Sequence, residues 1–179
     1  MTHPRFNQCD TIKINWLCYG DNEILYYENK NVQKRFQKHS NLTRCNSEIK
    51  SIIKINNNSK ILWGNGMAHR PIINVNKSCD SAGNLRKYTD WMVNPPQHKY
   101  AYLKHYFSKS TEEYAKKILR GDAAILRNND TSFYARSMKR YFALNSFSME
   151  KIFIFEKILN VSLKKALKKI KIYLKKNKT

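Results

Sequence analysis

One carboxylate, a few cations and two kinds of ring in this chain have the types and local settings that chemistry uses. Asp21 follows an alternating apolar segment where a strand gives way to a loop, a position that presents a carboxylate to a cleft as a base or orienting group. The same Gly20-Asp21-Asn22 triplet also reads as plain turn chemistry, the Asp side chain bonding its neighbouring backbone. His105 closes a short apolar run just before a helix start, from where an imidazole binds a divalent metal or donates to a pyrophosphate; a satisfied core histidine is the competing reading. His69, ahead of Arg70-Pro71, carries the same alternatives. Lys109 sits just before a helix N-terminus, where unsatisfied N–H groups favour anions, so Lys109 and the Ser110 region together suit phosphate. Arg120, at the far end of that helix, is either an anion-binding cation or a charge set against the helix dipole. Trp16 offers an apolar platform for a bound ring, or fills the core from its strand.

The elements that must position these residues are partly legible. Ile12, Ile14 and Trp16 alternate with Lys13 and Asn15, so Thr11 to Tyr19 reads as a buried strand that delivers Gly20 and Asp21 to a loop. A short helix is expected over Asn31 to Lys38 and a second strand over Ile49 to Ile55, with Asn56 to Ser59 as a turn. From Trp63 to Pro96 periodicity fades among glycines and prolines, as in a functional or surface excursion. A short apolar strand is expected over Tyr100 to Tyr106. Ser110-Thr111-Glu112-Glu113 then fits a capping box, and Arg120-Gly121 a cationic last turn and a left-handed stop. The tail from Ser148 reads as two helical pieces divided near Asn160. In the second, Leu163, Ala166, Leu167, Ile170, Tyr173 and Leu174 share an arc of roughly 120°, lysines fill the rest, and Ile172 alone is out of place.

At 179 residues the chain suits one domain with a moderate core, and 41% apolar content is too high for a wholly disordered chain. Lys and Arg outnumber Asp and Glu by 34 to 13, a net +21 that attracts any polyanion: nucleic acid, anionic lipid, or nucleotide and lipid diphosphates. The crowding of Lys, Asn and Ile also fits a coding sequence biased towards A and T. Cys9, Cys18, Cys45 and Cys79 form no C-x-x-C pair, so reduced, intracellular thiols are the expectation. No apolar run approaches the roughly 20 residues that span a bilayer, and none near Met1 resembles a leader, which predicts a cytoplasmic chain or one peripheral to the inner face of a membrane.

Three stretches, read together, resemble the C-terminal half of a GT-A glycosyltransferase of family 2 or the related family 92. They are Ile14-Asn15-Trp16-Leu17-Cys18-Tyr19-Gly20-Asp21-Asn22 with the basic helix ending at Arg35-Phe36; Gly64-Asn65-Gly66-Met67-Ala68-His69-Arg70-Pro71; and Lys104-His105-Tyr106-Phe107-Ser108-Lys109-Ser110 running on to Gly121. The resemblance implies a nucleotide-sugar donor, a divalent cation (Mn or Mg), and a glycan or lipid-linked acceptor in surface polysaccharide or lipopolysaccharide assembly. On that footing Asp21 is the catalytic candidate, Trp16, His69, Lys109 and Arg120 are substrate-binding candidates, and His105 is the metal candidate. No D-x-D occurs in the sequence and no G-x-G-x-x-G precedes the Trp16 strand, so the expectation is a portion without the donor-binding half, inactive alone.

The expected fold is α/β or α+β: an incomplete mixed sheet with covering helices and a basic amphipathic helical tail. Residues 1–126 are expected to form the glycosyltransferase-like portion, 127–147 a connection, and 148–179 the tail, whose segment 162–176 suits an anionic membrane surface or caps the domain. A basic nucleic-acid-binding protein is the alternative function; the concentration of lysines in a tail and the lack of a recognised binding motif argue against it. An inactive remnant with an unpaired sheet edge is the third reading.

Overall fold

The computed structural model describes residues 3–55, 60–63, 71–72, 75–86, 92–121, 131–163, 168 and 172. Among these the chain order is β1 (Thr11–Tyr19), α1 (Val32–Arg35), α2 (Thr43–Asn46), β2 (Ile49–Ile53), β3 (Leu62–Trp63), β4 (Pro71–Ile72), β5 (Ser78–Asp80), β6 (Leu103–Tyr106), α3 (Thr111–Arg120), α4 (Thr131–Leu144) and α5 (Met149–Leu159). The fold is α/β, with a four-stranded mixed sheet and a separate two-stranded one of β3 and β4. The chain divides into two compact units, Met1–Cys18 with Asn41–His105 and Tyr19–Ser40 with Tyr106–Thr179. No helix among the described residues is long and apolar enough to cross a membrane.

In the first unit β1 is the hub of the sheet. It pairs antiparallel with β2, from Thr11 opposite Ile53 to Asn15 opposite Ile49, and parallel with β5, where Ile12 faces Cys79; β6 also pairs with it. Because β1 has partners on both edges and cover on both faces, its polar residues are buried with its apolar ones: Thr11, Lys13 and Asn15 as well as Ile12 and Ile14. Burying an amide requires that it be satisfied. Asn15 meets this by donating to the carbonyls of Asn46, Ser47 and Val93, each at 3.1 Å, and accepting from the Gln97 N–H at 3.0 Å. A residue that reads as the polar side of an alternation therefore ties two segments, 46–47 and 93–97, to the central strand.

The expectation of reduced thiols is corrected here. All four cysteines are paired, Cys9 with Cys79 and Cys18 with Cys45. Sequence separations of 70 and 27 carry no spacing signature. The parallel alignment of β5 with β1 brings Cys79 to the foot of β1, where Cys9 and Ile12 share its apolar cluster.

The second unit is helical. α3 starts at the predicted capping box, with Glu113 N–H donating to Ser110 Oγ at 3.2 Å and the Glu113 carboxylate accepting from the Ser110 N–H at 3.2 Å. It packs on α5 around Tyr114, Ala115, Ile118, Ile152, Phe155 and Leu159. α5 lies between Ser148 and Asn160, as the sequence predicts; Ser148 is its N-cap and Asn160 adopts a left-handed conformation. The stretch 127–147, read as a connection, contains α4, whose Tyr134, Met138, Tyr141 and Phe142 recur at helical spacing and enter the same core. Beyond it Leu163 is buried, while Ile172, off the apolar arc of the tail, is exposed; most of 162–176 lies outside the described residues.

Candidate functional site

Of the residues singled out from sequence, Trp16 and His105 are brought together in the first unit. β1 and β6 are neighbours, and the two rings stack with centroids 3.8 Å apart and planes at 22°. Trp16 is only partly buried, so the core reading does not describe it fully. Its carbonyl lies 2.8 Å from Nε2 of His98, whose ring meets that of Tyr102 edge-on at 6.0 Å. Two ring pairs, Trp16–His105 and His98–Tyr102, are thus joined through the Trp16 backbone, and Tyr102 is exposed. Nδ1 of His105 stands 3.9 Å from Sγ of Cys18, and Cys18, Cys45 and His105 place their ligand atoms within 4.8 Å of one another.

That setting does not fit the manganese or magnesium ion expected at His105. Both ions take oxygen-rich donor sets. The group around His105 offers one imidazole nitrogen and two sulfurs bonded to each other, without a carboxylate.

Asp21 belongs to the second unit, where its position differs from the expectation of an open carboxylate. Only 1% of its surface is exposed. Oδ1 accepts from the Glu23 N–H at 3.0 Å, and Oδ2 accepts from the Tyr141 hydroxyl and sits 2.7 Å from Lys151 Nζ. Burial and then the Asp21 charge hold the Tyr141 phenol protonated far above its usual range, which makes Tyr141 the donor to Asp21. Thr111, 2.7 Å from the same phenolic oxygen, consequently donates to it. Lys151 is 1% exposed and is surrounded by Asp21 Oδ2, Glu23 Oε2 at 3.0 Å, Ser146 O at 3.1 Å and Ser146 Oγ at 3.0 Å. The Ser146 bond, ahead of Lys151, draws the Glu23 carboxyl below its ordinary value. Each of these partners is internal, so the carboxylate ties the loop to α4 and α5. The turn reading of Gly20-Asp21-Asn22 accounts for the Glu23 bond, and Asp21 N–H donates to Asn145 Oδ1 at 2.6 Å. A polar cleft of about 150 Å³ is lined by Gly20 and Asp21 themselves, together with Glu23, Lys38, His39 and Ser146.

The start of α3 is likewise occupied. The Thr111 N–H donates to Ile24 O at 3.1 Å, the Glu112 N–H to Leu25 O at 2.9 Å, and the Glu113 N–H to Ser110 Oγ. The N–H groups that would receive a phosphate are thus used by the chain itself. Lys109, in a left-handed conformation with φ 54°, lies 3.9 Å from Glu113 Oε1. Glu113 is also held by Arg35 in a two-pronged pair of 2.7 and 3.1 Å; burial pushes its carboxyl up, but Arg35 and Ser110 outweigh burial and leave it below the ordinary value. Arg120 occupies the last turn of α3 and is exposed, as the dipole reading requires. His69 lies outside the described residues.

Lys151, Tyr141 and Arg35 were not singled out from sequence. Lys151 is one of many lysines towards the C-terminus and shares α5 with Glu150, Glu156 and Lys157, so no local signal sets it apart. Arg35 lies in the segment that carries the resemblance, and its role follows from the fold alone. No protein-family model matches the sequence, and neither does any curated protein or solved structure.

Proposed function

We propose that this chain is the acceptor-side portion of a nucleotide-sugar-dependent glycosyltransferase acting in surface polysaccharide or lipopolysaccharide assembly. The observation that carries the reading is the Trp16–His105 stack. Two residues from separate segments of the resemblance meet on adjacent strands and form a partly open aromatic surface. A partly exposed indole suits the apolar face of a sugar ring on the side that His105 does not cover. Catalysis requires a donor-binding portion with its own cation site, because the sequence has no D-x-D and the surroundings of His105 suit neither Mn nor Mg.

The chain is further proposed to lie in the cytoplasm or against the inner face of the membrane, the tail resting on anionic lipid. Disulfides ordinarily mark oxidising compartments, so this location requires the two bridges to open or turn over there.

Titration of the full chain with oligosaccharide, followed by NMR of the Trp16 indole and the His105 ring, tests the sugar platform. A saturable shift of both signals that Trp16→Ala abolishes is the expected result. Absence of shifts with every glycan and nucleotide-sugar tried, alongside shifts with single-stranded DNA at low salt, would favour the nucleic-acid-binding alternative instead.

A further inference from the structure

We propose that Cys18, Cys45 and His105 form a redox-gated soft-metal site, which takes zinc when the Cys18–Cys45 disulfide is reduced. This goes beyond the glycosyltransferase reading and does not depend on it. The three ligand atoms lie within 4.8 Å of one another, and Nδ1 of His105 is 3.9 Å from Sγ of Cys18. Tetrahedral zinc, with Zn–S of ~2.3 Å and Zn–N of ~2.0–2.1 Å, sets sulfur and nitrogen ligands ~3.6 Å apart and two sulfurs ~3.8 Å apart. The Cys18–His105 spacing already matches this to a few tenths of an ångström. The two sulfurs must part, and their Cα atoms leave room for it: they stand 6.3 Å apart, towards the long end of the ~4.4–6.8 Å that bridged cysteines span.

The surroundings hold the three ligands in place. They come from three elements of one unit, β1, α2 and β6. Asn46 Oδ1 accepts the Cys18 N–H at 2.9 Å, and the Trp16 indole stacks on the His105 ring, so a backbone and a ring plane are fixed before any ion arrives. Cys18 is fully buried, whereas Cys45 and His105 are partly open, which gives an ion a side of approach.

The chemistry balances as follows. A dithiol reductant delivers two electrons and two protons to the disulfide and leaves as a disulfide itself. Zinc then displaces both thiol protons to solvent, His105 contributes the Nδ1 lone pair, and water fills the fourth position. Two thiolates and an imidazole select zinc over magnesium or manganese. The sulfurs cannot be bonded to each other and ligate as thiolates at once, so disulfide and metal exclude one another. Bound zinc therefore protects the pair from reoxidation, and oxidation expels zinc.

Anaerobic cobalt titration of the dithiol-reduced, desalted full chain tests this, in a Cys9→Ser/Cys79→Ser background that removes the other two thiols. The expected result is a thiolate-to-cobalt charge-transfer band with the visible bands of tetrahedral cobalt, saturating at one ion per chain and bleached by zinc. The oxidised chain should show no band. His105→Gln should weaken cobalt binding by more than the roughly 10- to 100-fold that loss of a merely supporting partner costs. Should the serine background fail to fold, the parent sequence with and without His105→Gln gives the same discrimination, because the described residues offer no other His/Cys/Asp/Glu group of this kind. Absence of the bands in the reduced chain overturns the proposal, and so does cobalt binding that His105→Gln leaves undiminished.

Discussion

Lys151→Met isolates what holds the second unit together beneath its apolar core. The Lys151 and Asp21 side chains are 1% and 2% exposed with 2.7 Å between Nζ and Oδ2. At that distance the gross attraction is ~6 kcal/mol for an effective dielectric of 20. Desolvation of both charges offsets most of it in the native chain, but the variant keeps the burial of Asp21 and loses the compensation. Removing one member of a buried pair costs ~3–5 kcal/mol, out of a total stability of ~5–15 kcal/mol. Glu23, whose side chain is 68% exposed, adds little, since a pair of that kind is worth ~0–1 kcal/mol. In a chain of this length the loss lowers the melting temperature by roughly 6–20 °C. The three tryptophans fall in stretches of the first unit, so the variant is best followed by far-UV circular dichroism, which α3, α4 and α5 of the second unit dominate. Asp21→Asn combined with Lys151→Met removes both charges while leaving an oxygen for the Tyr141 hydroxyl, and should recover more than half of the loss. A single variant within ~1 kcal/mol of the parent, below what a broken buried pair costs, or a double variant no more stable than the single, would refute the reasoning.

Ser110→Ala removes the acceptor for the Glu113 N–H and should cost ~1 kcal/mol in urea unfolding. The depressed Glu113 carboxyl contributes stability that is fully present above its unfolded-state pKa and lost as pH falls through the lower folded-state value; Glu113→Gln should therefore be less stable at neutral pH and show a flatter acid limb in melting temperature against pH. Replacing Lys164, Lys165, Lys168 and Lys169 by Gln should weaken sedimentation with phosphatidylserine vesicles by ~1 kcal/mol for each basic residue that sits at the surface; unchanged binding would remove the membrane role of the tail.

Local signals in the sequence carried furthest. The limits of β1, the Ser110–Glu113 box and both ends of α5 depend on a few adjacent residues, and each is where those residues place it. β5 has no such signal: Ser78, Cys79 and Asp80 become a strand because Thr11, Ile12 and Lys13 offer them a parallel edge. α4 was missed and read as a connection, although Tyr134, Met138, Tyr141 and Phe142 recur at helical spacing and Asn129-Asp130 ahead of Thr131 are N-cap residue types. The site divides in the same way. Trp16 and His105 were visible as individual residues, whereas their stacking depends on strand pairing across almost ninety positions of sequence. Asp21 was visible as the end of a strand, but the partners that bury it come from α4 and α5, more than a hundred residues later.

The order of strands around β1 also bears on how the chain leaves the ribosome. β1 is made well before its parallel neighbour, which pairs Ser78 with Thr11, and β6 ends only at Tyr106. At ~5–20 residues per second, roughly 5–20 s separate the emergence of β1 from that of its last partner. During that interval Ile12 and Ile14 and a full edge of backbone donors and acceptors stand uncovered, a strand of the kind that pairs with other chains when left waiting. What closes that edge is the delivery of β5 and β6.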